Sequence, residues 1–190
     1  MKKILVIVVM MLSSAAMFAQ TTAGKLTVQP KVGMNIANVT DDEDASNLIR
    51  LVAGAEFEYG LSDMVSLSAG ALYSMQGAEA GSYNGKLKLN YLTVPLLANV
   101  YVLPGFAVKL GLQPAFKLSA KTTYEDNGVK VEADVDNVKG FDLSVPVGVS
   151  YEFSNVVLDA RYNWGLTKII DDAKSKNSVF QITLGYKFAL

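Results

Sequence analysis

FDLSVPVGVSYEFSNVVLDARYNWGL, residues 141–166, is the stretch on which the fold turns. Up to residue 153 every odd position is large and apolar: Phe141, Leu143, Val145, Val147, Val149, Tyr151 and Phe153. Between them lie Asp142, Ser144, Pro146, Gly148, Ser150 and Glu152. After Ser154-Asn155 the parity swaps. Val156, Leu158, Ala160, Tyr162, Trp164 and Leu166 become the apolar set, against Val157, Asp159, Arg161, Asn163 and Gly165. Successive side chains of an extended chain point to opposite faces, so strict alternation marks a strand with two unlike faces. Two such strands around a short polar turn make a hairpin. A charge-free apolar face backed by a face of Gly, Ser and charges is one wall segment of a transmembrane β-barrel.

The unit recurs. Val28, Pro30, Val32, Met34 and Ile36 form one apolar face, and Leu51, Ala53, Ala55, Phe57 and Tyr59 a second. Val65, Leu67, Ala69, Ala71, Tyr73 and Met75 form a third. A fourth starts as Leu87, Leu89, Tyr91 and changes phase to Leu92, Val94, Leu96, Ala98, Val100, which predicts a β-bulge near Tyr91-Leu92. Phe106, Val108, Leu110, Leu112, Pro114 and Phe116 make a fifth, and Phe180, Ile182, Leu184, Tyr186 and Phe188 the last. With the opening hairpin this gives eight strands and predicts an all-β, eight-stranded antiparallel up-and-down transmembrane barrel. Each segment matches the roughly 9–11 residues of a tilted membrane strand. Prolines 30, 95, 114 and 146 each remove a ladder hydrogen bond, and are expected near rims or bulges.

Composition agrees. Charged residues are 18% of the 190 residues and mean hydropathy is +0.26. Beyond the N-terminus no apolar run approaches the ~20 residues of a membrane helix. A net charge of −1 gives no sign of a nucleic-acid partner. Cysteine and histidine are absent, which removes disulfides, thiolate metal sites, His-based triads and His-ligated zinc. No cofactor is expected. At the start, Met1-Lys2-Lys3, an apolar run to Leu12 and a small-residue stretch to Ala19 predict a secretory signal peptide over residues 1–19, leaving the barrel domain at 20–190.

Connections alternate in length. Residues 60–64, 103–105 and 154–155 are short; 39–47, 77–86, 119–139 and 167–178 are long. Outer-membrane barrels have short periplasmic turns and longer external loops, so both termini are expected in the periplasm. Aromatics then fall in two bands. Tyr59, Phe106, Tyr151, Phe153, Tyr186 and Phe188 are expected at the periplasmic rim; Tyr73, Tyr91, Phe116, Phe141, Trp164 and Phe180 at the outer rim.

Pro30-Lys31-Val32-Gly33-Met34-Asn35, Asn90-Tyr91-Leu92-Thr93-Val94-Pro95-Leu96-Leu97 and Gly185-Tyr186-Lys187-Phe188 resemble the PorT-like outer-membrane β-barrel family of Bacteroidetes-type bacteria. The resemblance spans the chain after the signal peptide and rests on strand-forming motifs, so it implies a scaffold rather than an activity. The chain departs from a common outer-membrane pattern in ending on Leu190, with Phe188 two places earlier.

By parity, Lys31, Arg50, Glu56, Glu58, Lys109, Lys117, Asp142, Glu152, Asp159, Arg161 and Lys187 point inward. An eight-stranded barrel is just wide enough for side chains to fill. Buried charges must pair, so an ion-pair network of Lys31, Glu56, Glu58, Lys109, Asp142, Glu152, Asp159 and Arg161 is expected, with Arg161 as hub. An ion path or a ligand pocket is the other reading of the same charges. Asp41-Asp42-Glu43-Asp44 lacks the spaced ligands and turn glycine of a calcium loop and reads as a solvated acidic loop. Tyr124 to Gly128 reads as the tip of a hairpin standing above the membrane. The expected role is structural or surface-binding through external loops, without enzyme activity. The alternatives are a narrow pore or a membrane-embedded lipid-modifying enzyme. Expected partners are outer-membrane lipid, the barrel-assembly machinery and a loop ligand.

Overall fold

The computed structural model describes residues 23–40, 45–80, 85–126, 129–135, 137–169 and 175–190. The expected signal peptide, the acidic run at 41–44, and Asn84, Asn127, Gly128 and Lys174 lie outside them. Among the described residues there are eleven strands: β1 (Leu26–Val39), β2 (Ala45–Gly60), β3 (Val65–Ala80), β4 (Gly85–Thr93), β5 (Leu96–Leu103), β6 (Phe106–Asp126), β7 (Val129–Asp134), β8 (Phe141–Phe153), β9 (Val156–Gly165), β10 (Asn177–Tyr186) and β11 (Phe188–Ala189). They form eight staves of one closed antiparallel barrel. β4 and β5 are two halves of one stave, β10 and β11 of another, and β7 extends from β6 alone. The seam closes where β1 pairs with β10 and β11 on one side and β2 on the other.

Apolar faces point outward. Leu51, Leu110, Val147, Leu158, Trp164 and Leu184 are exposed, while Glu56, Lys109, Asp159 and Arg161 on the opposite faces are buried. This inversion of a soluble protein suits lipid outside and a polar interior.

The prolines sit inside the wall, at interruptions of the ladders rather than at rims. Pro95 separates β4 from β5. Pro114 faces that break, its carbonyl accepting the Val94 amide at 2.8 Å. Pro146 falls where β6–β8 pairing skips from Leu110–Val147 to Gln113–Ser144, and Pro30 opposite the break between β10 and β11. A ladder that lacks one N–H is interrupted there, but the flanking pairs keep register.

Two expectations about the fourth segment are corrected. Leu89 and Tyr91 do not face lipid; they are 0% and 1% exposed and point inward, so Tyr91 is no part of an outer aromatic band. Period two runs unbroken through Tyr91-Leu92. The bulge lies in the neighbouring strand, where Asn90 pairs with Ser119 and Tyr91 with Lys117, leaving Leu118 as the extra residue.

The long connections are also shorter than expected, because β2, β3, β4 and β6 continue well past the apolar band. The hairpin reading of residues 124–128 holds for its flanks, with Asp126 paired to Val129. In these extensions the pattern inverts: Leu87, Leu89 and Ala120 turn inward, while Lys86, Lys88 and Lys121 turn outward. Beyond the hydrocarbon the outside is water, so polar residues belong there and alternation for a lipid face stops.

Candidate functional site

The barrel interior is built by inward positions that the pleat fixes. Glu56 and Glu58 are consecutive inward positions of β2, and Asp159 and Arg161 of β9. Lys31 comes from β1 and Lys109 from β6. Glycines opposite leave the room: a Cβ on Gly148 would lie 2.5 Å from the Arg161 Cβ, and one on Gly70 2.5 Å from the Glu56 Cγ.

Arg161 is the centre. Its guanidinium holds Asp159 through Nε to Oδ1 at 2.7 Å and Nη2 to Oδ2 at 2.8 Å, and Glu56 Oε1 through Nη1 at 2.9 Å. Lys31 Nζ is 2.7 Å from Glu56 Oε2 and 3.8 Å from Asp159 Oδ2. Lys109 Nζ is 2.7 Å from the same Asp159 oxygen. Towards the short-turn end, Lys187 Nζ meets Glu152 at 2.6 Å and Glu58 at 3.1 Å. Ser66 donates to Glu58 at 2.6 Å, and Tyr101 donates to it as well. The first group has three cations and two anions, the second one cation and two anions. Together, four cations face four anions, and the pair of groups is neutral. Such a set is tolerated in a dry interior because no charge lacks a partner.

Three of the inward charges, Asp142 of the expected network and Lys117 and Arg50 beside it, sit elsewhere. Asp142 is buried but makes no ion pair among the described residues. It accepts from Asn177 Nδ2 at 2.7 Å, from the Leu143 amide at 3.0 Å and from the Thr167 hydroxyl. Lys117 gives its ammonium to the Val138 carbonyl. Arg50 lies at a break in the β2–β3 pairing and donates to Asn90 Oδ1 at 3.1 Å. Tyr101 and Ser66 were missed by the charge reading, although Tyr101 shares the parity of Asn99 and is inward on the same rule.

Above the charges the interior turns apolar. Leu89, Tyr91, Ala115, Ala120, Val138 and Ile169 pack together, joined by Val39, Leu87 and Val135. They come from β1, β4, β6 and both flanking connections, so the cluster spans the mouth at the long-loop end. Backbone bonds tie the connections down: Lys139 N to Ile169 O at 2.8 Å, Thr40 N to Lys176 O at 2.9 Å and Lys117 N to Gly140 O at 2.8 Å. Outside, the extensions carry a charged ladder, with Lys86 to Glu79 at 2.5 Å and Lys88 to Glu132 at 2.8 Å. The Lys88 ammonium holds the Glu132 carboxyl below its ordinary pKa.

The outward aromatics fall at two levels. Tyr59, Phe153, Tyr186 and Phe188 are exposed at the short-turn end, where Phe106 and Tyr151 are half-buried. Tyr73, Phe116, Phe141, Trp164 and Phe180 are exposed towards the long-loop end. Tyr73, Leu92, Phe116 and Phe141 form one cross-strand row, with Phe116 and Phe141 edge to face at 5.7 Å.

Residues 18–171 match the outer membrane protein beta-barrel domain family. The chain belongs to that family. It is a small outer-membrane β-barrel protein and resides in the outer membrane. The barrel is similar to Ail, the attachment invasion locus protein of Yersinia pestis, in complex with the heparin analogue sucrose octasulfate. The TM-score is 0.54 and identity 15%, over 87% of this chain and 99% of that one. It is also similar to Neisserial surface protein A, with a TM-score of 0.52 and 14% identity over 86% and 97% of the two chains. At these identities the likeness is one of fold. No curated protein sequence matches the chain. For an outer-membrane barrel, the two aromatic levels are about where ring dipoles meet headgroups on either side of the hydrocarbon.

Proposed function

We propose that this outer-membrane barrel is a closed, non-conducting scaffold whose long-loop end is presented outside the cell as a binding surface. The observation that carries the reading is the lumen, filled by four cations and four anions in contact and covered by an apolar cluster at the mouth. A selectivity ring needs one sign of charge lining an open path; here the signs cancel and side chains fill the section. The lumen carboxylates Glu56, Glu58, Glu152 and Asp159 are committed to ion pairs, which supports a non-enzymatic role.

The binding role rests on the strand extensions and on the heparin analogue that Ail accommodates. Residues 1–19 act as the secretion signal in this reading, the PorT-like group is the narrower kinship, and lipid and the assembly machinery are the partners of biogenesis. Pure protein in a planar bilayer is expected to give no steady conductance. Stable ion-selective steps would replace the scaffold with a pore.

The orientation has its own test. The three short turns lie at the end that carries Gly24 and Leu190: the Gly24 amide bonds the Gly60 carbonyl at 2.9 Å and the Lys187 amide the Asn155 carbonyl at 2.7 Å. Cysteines at Glu43, Asn84, Asn127 or Lys174 are expected to react with an impermeant thiol reagent on intact cells, and those at Asp63 or Asn155 to be protected. Labelling at Asp63 and Asn155 with none at Asn127 would turn the barrel over.

A further inference from the structure

Among the lumen carboxylates, Asp142 stands apart. Glu56, Glu58, Glu152 and Asp159 each touch a lysine or arginine; Asp142, 6% exposed, touches none among the described residues. Its partners are neutral: Asn177, Thr167 and a backbone amide. The cation nearest along the neighbouring strand, Lys117, lies two positions beyond Ala115, which pairs with Asp142, and its ammonium goes to the Val138 carbonyl. A buried charge with only neutral partners is costly.

The neighbouring inward positions hold oxygens that no donor reaches. The ladder places Gln113 beside Ser144, and Ser144 beside Gly165. A Cβ on Gly165 would lie 2.4 Å from the Asn177 carbonyl, so that glycine keeps the space between the two staves open. Asn163 is the next inward position on β9. Gln113 Oε1, Asn163 Oδ1 and Asn177 Oδ1 are all buried without a hydrogen-bond partner, as is the Asn163 amide nitrogen. Asn177 turns its amide nitrogen to Asp142 Oδ2 at 2.7 Å, and its side chain also meets the Tyr91 hydroxyl, while its oxygen is left over.

We propose that Asp142, with the carbonyl oxygens of Asn177 and Gln113, binds one hard monovalent cation, sodium or potassium, beneath the apolar cluster. An all-oxygen set without imidazole or thiolate favours a hard ion. One carboxylate is neutralised by one positive charge, whereas a divalent ion would leave a net buried charge. The site lies between the ion-paired groups and the mouth, and it stands whether or not the barrel proves to conduct.

The test is thermal unfolding of the whole barrel in detergent micelles, in sodium, potassium, calcium or choline chloride at one ionic strength. Choline is too large for the site, and equal ionic strength cancels screening. Sodium or potassium is expected to raise the midpoint over choline in a saturable way, by on the order of 5 °C. Asp142→Asn is expected to lose that dependence, and Gln113→Met, which keeps the carboxylate, to need more salt for the same rise. If Asp142→Asn does not fold, the wild-type and Gln113→Met arms decide alone. Identical midpoints in choline, sodium and potassium would mean the oxygens are met by water and would overturn the site. So would a rise with calcium alone, or an undiminished sodium effect in Asp142→Asn.

Discussion

Asp159→Asn is expected to destabilise the barrel more than Arg161→Met, because three cations share Asp159 while Arg161 meets two acids. Asp159 takes both arms of Arg161 and the Lys109 ammonium, with Lys31 at 3.8 Å. Losing its charge leaves Glu56 alone against Lys31, Lys109 and Arg161 in a part of the lumen where Lys31, Glu56 and Arg161 are essentially unexposed. Removing one side of a buried pair costs about 3–5 kcal/mol, because the orphaned charge stays desolvated. For a chain of this length that corresponds to a fall of roughly 10 °C in midpoint.

Arg161→Met leaves two lysines facing two acids, each acid still in contact with one, so the loss is one of hydrogen bonding without an orphaned charge, about 1–3 kcal/mol in all. The sequence alone made Arg161 the hub whose removal strands the acids; the presence of Lys31 and Lys109 on the same oxygens changes that ranking. Lys121→Met, on the exposed ladder at 3.8 Å from Glu132, is expected to leave the midpoint unchanged. The measurement is the temperature at which the compact gel band gives way to the unfolded one. An Arg161→Met midpoint below that of Asp159→Asn would show that charge balance does not govern the lumen.

The second large effect concerns the seam. Deleting residues 186–190 is expected to abolish insertion, while deleting only Ala189 and Leu190 leaves an inserted barrel. The longer deletion removes the pairs Val28–Phe188 and Thr27–Ala189, the bond from the Lys187 amide to Asn155, and the only cation touching Glu58 and Glu152 among the described residues. Residues 26–30 of β1 then present an open edge, where unsatisfied backbone groups cost several kcal/mol each in lipid. The shorter deletion costs one ladder pair and the bond from the Leu190 amide to Leu26 at the rim. Protease protection of membrane fractions separates the outcomes. A protected barrel lacking Tyr186 to Leu190 would mean that the seam closes without its last turn of strand.

How much of this was legible in the chain depends on what lies outside each strand. Where hydrocarbon surrounds the wall, one rule governs every position, and the alternation at residues 141–166 reads the pairing and facing of β8 and β9 directly. Where the same strands rise into water, that rule lapses. Leu87, Leu89 and Tyr91 continue the apolar run but on the other face, so a switch of surroundings looked like a slip of phase. The bulge itself, at Leu118, lies just past Phe116, where the lipid-facing run ends and alternation no longer reports the face.

The sequence by itself determined the all-β barrel, its eight staves and the parity that turns apolar residues outward and charges inward through the membrane, because period two and the cost of exposing a charge to lipid act on every such position. Only the tertiary structure decided which of those charges meet. Lys31, Lys109 and Arg161 are far apart in the chain, and their convergence on two acids is set by register and closure, as is the separation of Asp142, whose parity is the same but whose height in the barrel places it among amides instead of ammonium groups. Parity is a local property of the backbone; height and angular position around a barrel are set by every strand at once.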